Sequence, residues 1–141
     1  MRSSQAIESM ATLLYERRIT MLNTILENVN YPIEHLVFQL DDSSKVNEFI
    51  RLDEAIWTYE LSQYDGFLSK EVWVNANVPG EVHTLLIWKT MEEWKSIPLE
   101  KLKEIDQRFM ATFGSPFRIV RRIHKENNHG LYKVRMTVKV D

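Results

Sequence analysis

Asp53 is a carboxylate on a helical stripe that is otherwise apolar. Val46, Phe49, Ile50, Ile56, Trp57, Leu61 and Tyr64 form that stripe, with Asp53 one turn after Phe49 and one turn before Trp57. A buried charge without a partner is costly, so this position demands one. The following strand pattern offers two titratable neighbours. Lys70 shares parity with Leu68, Val72 and Val74, and Glu71 shares it with Trp73. Held by Lys70, Asp53 is a structural ion pair with a depressed pKa. Buried beside Glu71 without a cation, it has a raised pKa and becomes a candidate acid or base. We expect the pair with Lys70.

The other chemistry-bearing residues give weaker signals. The stretch from Gly66 to Trp94 holds Trp73, Trp88 and Trp94, and Trp57 precedes it. Large rings at element-facing positions read first as core, because each buries a wide apolar area. His124, Glu126 and His129 surround a turn, without the spacing of a metal site, and read as a solvated loop. His83 reads as a capping or exposed residue at a strand start. Arg118, Arg121, Arg122 and Lys125 read as a wet strand edge. The chain has no Ser-His-Asp order, no phosphate-cradling glycine loop and no HExxH pair.

Composition bounds the classes that remain. The 141 residues are 44% hydrophobic and 27% charged, which suits a globular chain with a real core. A net charge of -2 gives no electrostatic reason to expect a nucleic-acid partner. With no cysteine there is no disulfide, thiolate metal site or thiol nucleophile, which fits a reducing compartment. No apolar run approaches the roughly 20 residues that span a bilayer, and the start, MRSSQAIESM, lacks the apolar core of a secretory signal. The expected location is cytoplasmic.

These residues need elements to position them. Residues 5–29 lack glycine and proline, and Ile7, Met10, Ala11, Leu14, Met21, Leu22, Ile25 and Val29 fall at helical spacing. We assign residues 1–33 to an N-terminal helical extension that docks on protein, and residues 34–141 to the main domain. The first strand, 34–40, sets Leu36, Phe38 and Leu40 against His35, Val37 and Gln39. Asp42, Ser43 and Ser44 offer caps for a helix over 45–63. Strands follow at 67–75 and 82–89, joined by a turn at Pro79-Gly80. Val82, Thr84, Leu86 and Trp88 on one face of the second of these, and Leu85 and Ile87 on the other, require cover on both sides.

Thr90 and Glu93 match a capping box for a short helix. A long helix after Pro98 carries Leu99, Leu102, Ile105, Phe109, Met110 and Phe113, and Gly114 stops it. A fourth strand runs over 117–125. A fifth follows the turn at 127–130, with Tyr132, Val134, Met136, Val138 and Val140 alternating with polar residues. The order predicts an α+β fold: a ferredoxin-like βαββαβ antiparallel sheet with helices on one face, an extra C-terminal strand and an N-terminal helix. The helix-free face then predicts a homodimer in which two sheets close a barrel.

DEAIWT (53–58), GFLSKEVW (66–73), IW (87–88) and EEWKSIP (93–98) resemble an uncharacterised, mainly cyanobacterial protein family of the dimeric α+β barrel superfamily. Antibiotic-biosynthesis-type and heme-degrading monooxygenases belong to the same superfamily. The resemblance covers roughly residues 34–124. Heme-degrading members carry a ligating histidine on the second long helix. Residues 98–114 contain none and offer Asp106, Gln107 and Arg108 there, so no cofactor is expected.

The resemblance implies a ligand cavity, and the candidates for it are His35, Gln39, Asp53, Trp57, Lys70, Glu71, Trp73, Trp88 and Trp94. No catalytic residue and no metal ligand is singled out. The expected function is a homodimer that binds a small hydrophobic or aromatic ligand or acts as an interaction protein. The alternative is a cofactor-independent monooxygenase-like enzyme on a small aromatic or quinol-type substrate. The fold alone does not choose between them.

Overall fold

In this computed structural model the described residues are 9–17 and 31–139. The chain divides into two units, one of residues 1–30 with 134–141 and one of residues 31–133. Within the first, residues 9–17 are helical, as their spacing predicts. The rest of the predicted N-terminal helix lies outside the described residues. Among the described residues no helix is long and apolar enough to cross a membrane.

The second unit begins with β1 (Tyr31–Leu40), three residues earlier than the pattern suggested. A helix, α1, follows in three continuous segments: Val46–Leu52, a π-helical stretch Asp53–Thr58, and Tyr59–Leu61. The chain then forms β2 (Phe67–Val74), β3 (Glu81–Trp88), α2 (Met91–Lys95), α3 (Leu99–Phe113), β4 (Phe117–Arg122), α4 (Ile123–Glu126) and β5 (Tyr132–Lys133). The sheet order is β2-β3-β1-β4, with every neighbour antiparallel. This is the ferredoxin-like order, because each helix carries the chain past one strand to a parallel, non-adjacent place. Among the described residues the sheet is open and closes no barrel within one copy.

Caps and turns follow the sequence. The Ser44 backbone N–H donates to Asp42 Oδ1 at 3.0 Å, and that of Glu93 to Thr90 Oγ1 at 3.0 Å. Gly114 ends α3 in the left-handed region at φ 67°. Gly80, at φ 85°, turns β2 into β3, and an added Cβ would stand 2.8 Å from the Leu40 carbonyl oxygen.

All three longer helices pack on the even-numbered face of β3. Leu40, Phe49, Leu52, Val82, Phe109 and Phe113 make one core cluster. Leu61, Leu86, Trp88, Trp94 and Ile97 make another. Phe49 is the hub of the first, with ring contacts to Phe38, Phe109, Phe113 and Phe117 at 5.2–5.4 Å.

Three expectations need correction. Leu99 and Met110 of α3 are 63% and 51% exposed, so the core face of that helix is narrower than its apolar stripe. The fourth strand stops at Arg122, where α4 begins. The fifth strand is only Tyr132–Lys133 and pairs with Tyr31 and Pro32 of β1. The described residues that follow, 134–139, are not in a strand, because alternation alone does not make one.

Phe49→Ala removes the hub of the larger cluster. Urea unfolding should show a loss of about 3–5 kcal/mol, and a loss under 1 kcal/mol would mean that the cluster repacks around the gap.

Candidate functional site

A cavity of about 470 Å³ lies between the sheet and its helices. Its lower wall is the even-numbered face of the sheet, with Glu34, Leu36 and Phe38 from β1, Lys70 from β2, and Thr84, Leu86 and Trp88 from β3. Phe49, Asp53, Trp57 and Leu61 of α1 and Trp94 of α2 close one side, and Asp106 and Phe109 of α3 another. The volume falls in the range of about 300–1,000 Å³ usual for small-molecule sites.

The polar end of the cavity is set by the π-helical stretch. Tyr59 donates its backbone N–H to Glu54 O, five residues back. In an α-helix at 3.6 residues per turn, positions five apart point about 140° away from each other. The wider turn brings Asp53 and Thr58 to one cation. Lys70 Nζ stands 2.6 Å from Asp53 Oδ2 and donates to Thr58 Oγ1 at 2.9 Å. Both side chains of the ion pair are nearly buried, 7% exposed for Asp53 and 5% for Lys70.

The expected contact is therefore present, but the expected pKa direction is not. Burial pushes the Asp53 carboxyl above its usual value, and the Lys70 charge opposes this without overcoming it. Glu34 behaves alike. Burial raises its pKa, against a side-chain hydrogen bond with Trp94 and the charges of Lys70, Lys95 and Lys125. Sequence reasoning missed Glu34, although it shares parity with Leu36 and Phe38 and so obeys the argument that found Asp53.

Trp88 and Trp94 lie parallel, with planes 3° apart and centroids 6.4 Å apart. Trp88 is 1% exposed, and its Nε1 has no hydrogen-bond partner among the described residues.

Of the candidates read from the sequence, Asp53, Trp57, Lys70, Trp88 and Trp94 line this cavity, and His35, Gln39, Glu71 and Trp73 do not. The latter four belong to the opposite parity. Gln39 is a clamp: its Nε2 donates to Pro79 O at 2.9 Å and Leu40 O at 3.2 Å, tying β1 to the β2–β3 turn. Glu71 and Trp73 are exposed, Trp73 by 48%. His35 meets His83 across the far face, Nε2 to Nδ1 at 2.9 Å.

His124 corrects another expectation. It is buried at 3% exposure and packs edge-on against Trp94 at 5.4 Å, with burial lowering its pKa. Its Nδ1 stands 3.2 Å from the backbone N and O of His35. Among the described residues no group of three or more His, Cys, Asp and Glu side chains is placed to hold a metal ion.

The buried pair makes a testable linkage. Since the folded Asp53 pKa lies above the usual 3.8, its contribution to stability is largest below 3.8 and declines as pH rises through the folded value. Asp53→Asn should remove that slope from the pH dependence of unfolding. It should also leave Lys70 without its counter-charge, a loss of about 3–5 kcal/mol at pH 7. The double variant D53L/K70M should recover most of the loss in the same measurement. A neutral Asp53→Asn would show that the pair is not coupled.

Comparison with protein-family models and with curated proteins gives no match. Among solved structures, the chain is similar to a protein of Caulobacter crescentus CB15 provisionally assigned as an antibiotic biosynthesis monooxygenase. Identity is 14% and the TM-score 0.45, over 67% of this chain and 91% of that one. It is also similar to a conserved protein of Methanosarcina mazei Go1, at 15% identity and TM-score 0.43, over 65% and 93%. Likenesses of this strength carry no activity over to this chain.

Proposed function

We propose that the cavity between sheet and helices binds a small planar aromatic molecule with at least one acceptor oxygen, of the phenol or quinol class. The observation that carries this reading is Trp88, which lines the cavity and whose buried Nε1 has no hydrogen-bond partner among the described residues. Such a group costs about 1–3 kcal/mol unless something accepts its proton. Lys70 adds capacity, because an ammonium has three donors, of which Thr58 accepts one while Asp53 Oδ2 balances the charge at 2.6 Å. Stacked and tilted rings around the space suit a flat apolar body.

A second reading makes the protein an enzyme that oxygenates the bound molecule without a cofactor, and the raised Asp53 pKa favours it. A carboxylate with raised affinity for a proton can accept the hydroxyl proton of a phenol, and Lys70 and Trp88 would hold the resulting phenolate oxygen. The electron-rich ring then reacts with dioxygen at a free para position. Phenol plus dioxygen gives quinone plus water, and the water takes the ring C–H and O–H hydrogens.

The probe is 1-naphthol. Calorimetry should show binding to the wild type, weakened roughly fivefold by Trp88→Phe for the loss of about 1 kcal/mol. Oxygen uptake with formation of 1,4-naphthoquinone would support the enzyme, and binding without uptake would leave the ligand binder. No binding of 1-naphthol or other phenols would refute both.

We also propose that the protein is a homodimer assembled through the sheet face away from α1 and α3. Trp73 lies half-exposed there beside the partly buried Leu85. Such an interface should bury more than about 1,200 Å². Sedimentation as a monomer at micromolar concentration would overturn it.

A further inference from the structure

The far face of the sheet holds a hydrogen-bonded relay that the cavity does not use. Glu81 Oε2 accepts from Asn75 Nδ2 at 2.8 Å and lies 3.1 Å from His83 Nε2. His83 Nδ1 lies 2.9 Å from His35 Nε2. Each partner comes from strand register: β1 and β3 pair antiparallel with Val37 opposite His83, so His35 is the diagonal neighbour on the same face. Trp73, opposite His83 on β2, meets the His35 ring edge-on at 6.0 Å.

The anionic end fixes the direction of every proton. The His83 and Asn75 hydrogen bonds hold the Glu81 carboxyl below its usual range, so near neutral pH it only accepts. His83 must therefore carry its hydrogen on Nε2. A neutral His83 then has a bare Nδ1, which accepts from His35 Nε2–H. A neutral His35 is left with a bare Nδ1, for which no hydrogen bond to a described residue is found. Burial first, and then the nearby positive charge of Arg121, lower the His35 pKa from its usual value, with Glu126 opposing. Glu71 on β2 is the remaining titratable group of this face near the relay, opposite Leu85.

We infer that this relay is a second, acid–base site: His35 Nδ1 is a general base for a water or hydroxyl group beside a small aromatic acyl or hydroxy compound lying on Trp73. His35 is the catalytic residue, and His83 and Glu81 are positioning residues. When His35 Nδ1 takes a proton from water, the oxygen adds to an acyl carbon and the bond to the leaving phenolate breaks. The positive charge shifts with the Nε2 proton to His83, beside the Glu81 carboxylate. The proton then returns to solvent, leaving carboxylic acid and phenol in place of ester and water. In a face-to-face dimer, two such relays would share one inter-sheet space.

The probe is p-nitrophenyl acetate, with the full chain as wild type, His35→Gln, His83→Gln and Glu81→Leu. Two-bond proton–nitrogen NMR of the wild-type imidazoles at pH 8 should show His35 protonated on Nε2 and bare on Nδ1, and His83 with the same pattern. In Glu81→Leu the His83 tautomers should mix. Since general-base catalysis supplies about 10²–10⁴-fold, wild-type hydrolysis should exceed that of His35→Gln by at least about tenfold. It should rise with pH through the His35 titration to a plateau, with the other variants between. A proton on His35 Nδ1, or wild-type rates in His35→Gln, overturns the site. Should His35→Gln fail to fold, wild-type rates in His83→Gln have the same force.

Discussion

The 2.6 Å contact between Asp53 and Lys70 is the constraint from which the polar end of the cavity follows. Neither charge can be buried alone, so α1 and β2 must hold them at one height. The ion pair alone leaves one side of the ammonium unsatisfied in a nearly dry place. Thr58 supplies the next acceptor, and an α-helix would turn it away. The π-helical stretch over Asp53–Thr58 resolves this by inserting a wider turn where both oxygens are required. Asp53 and Trp57 of this stretch line the cavity together with Lys70. One electrostatic demand thus shapes the helix and the polar end of the site.

Much of this was legible in the sequence, because period and parity are local properties. The two-sided apolar pattern of β3, the Thr90 cap and Gly114 each name their own conformation, and their order leads to the sheet topology. The stripe on α1 exposed Asp53 as an anomaly, and strand parity named Lys70 as its partner. What stayed hidden depends on balances between terms of opposite sign. The Asp53 pKa rises because desolvation outweighs a close cation, and no spacing rule weighs those two. The π-helical stretch is likewise invisible, since Asp53 to Thr58 reads as ordinary helix until the Lys70 contacts are known.

The cavity candidates divide by parity. Asp53, Trp57, Lys70, Trp88 and Trp94 line the space under the helices, whereas His35, Glu71 and Trp73 lie on the helix-free face, where a space between two copies would form. The parity assignment itself was sound: His35 and Gln39 oppose Leu36 and Phe38, as found. What sequence could not say is which face keeps an unfilled volume. That depends on whether helix side chains reach the sheet. Glu34 opens the predicted strand on the Leu36 and Phe38 face, and was passed over because no apolar stripe surrounds it as one surrounds Asp53.

A sheet with two unlike faces also separates two kinds of chemistry. The helix side holds its charges in a poorly solvated space, where a carboxyl binds its proton more tightly and a donor such as Trp88 N–H waits for an acceptor. The far side holds its histidines within reach of solvent, in a chain whose direction is imposed by one carboxylate. The strand pleat allows both at once. His83 and Thr84 are neighbours in sequence, yet one belongs to the relay and the other to the cavity wall. Water can satisfy the polar end of the cavity around Glu34 and Lys70, but it gains little beside Phe38, Phe49 and Phe117. A molecule with one oxygen and one aromatic body satisfies both ends together, which is the physical ground for preferring such a ligand to solvent.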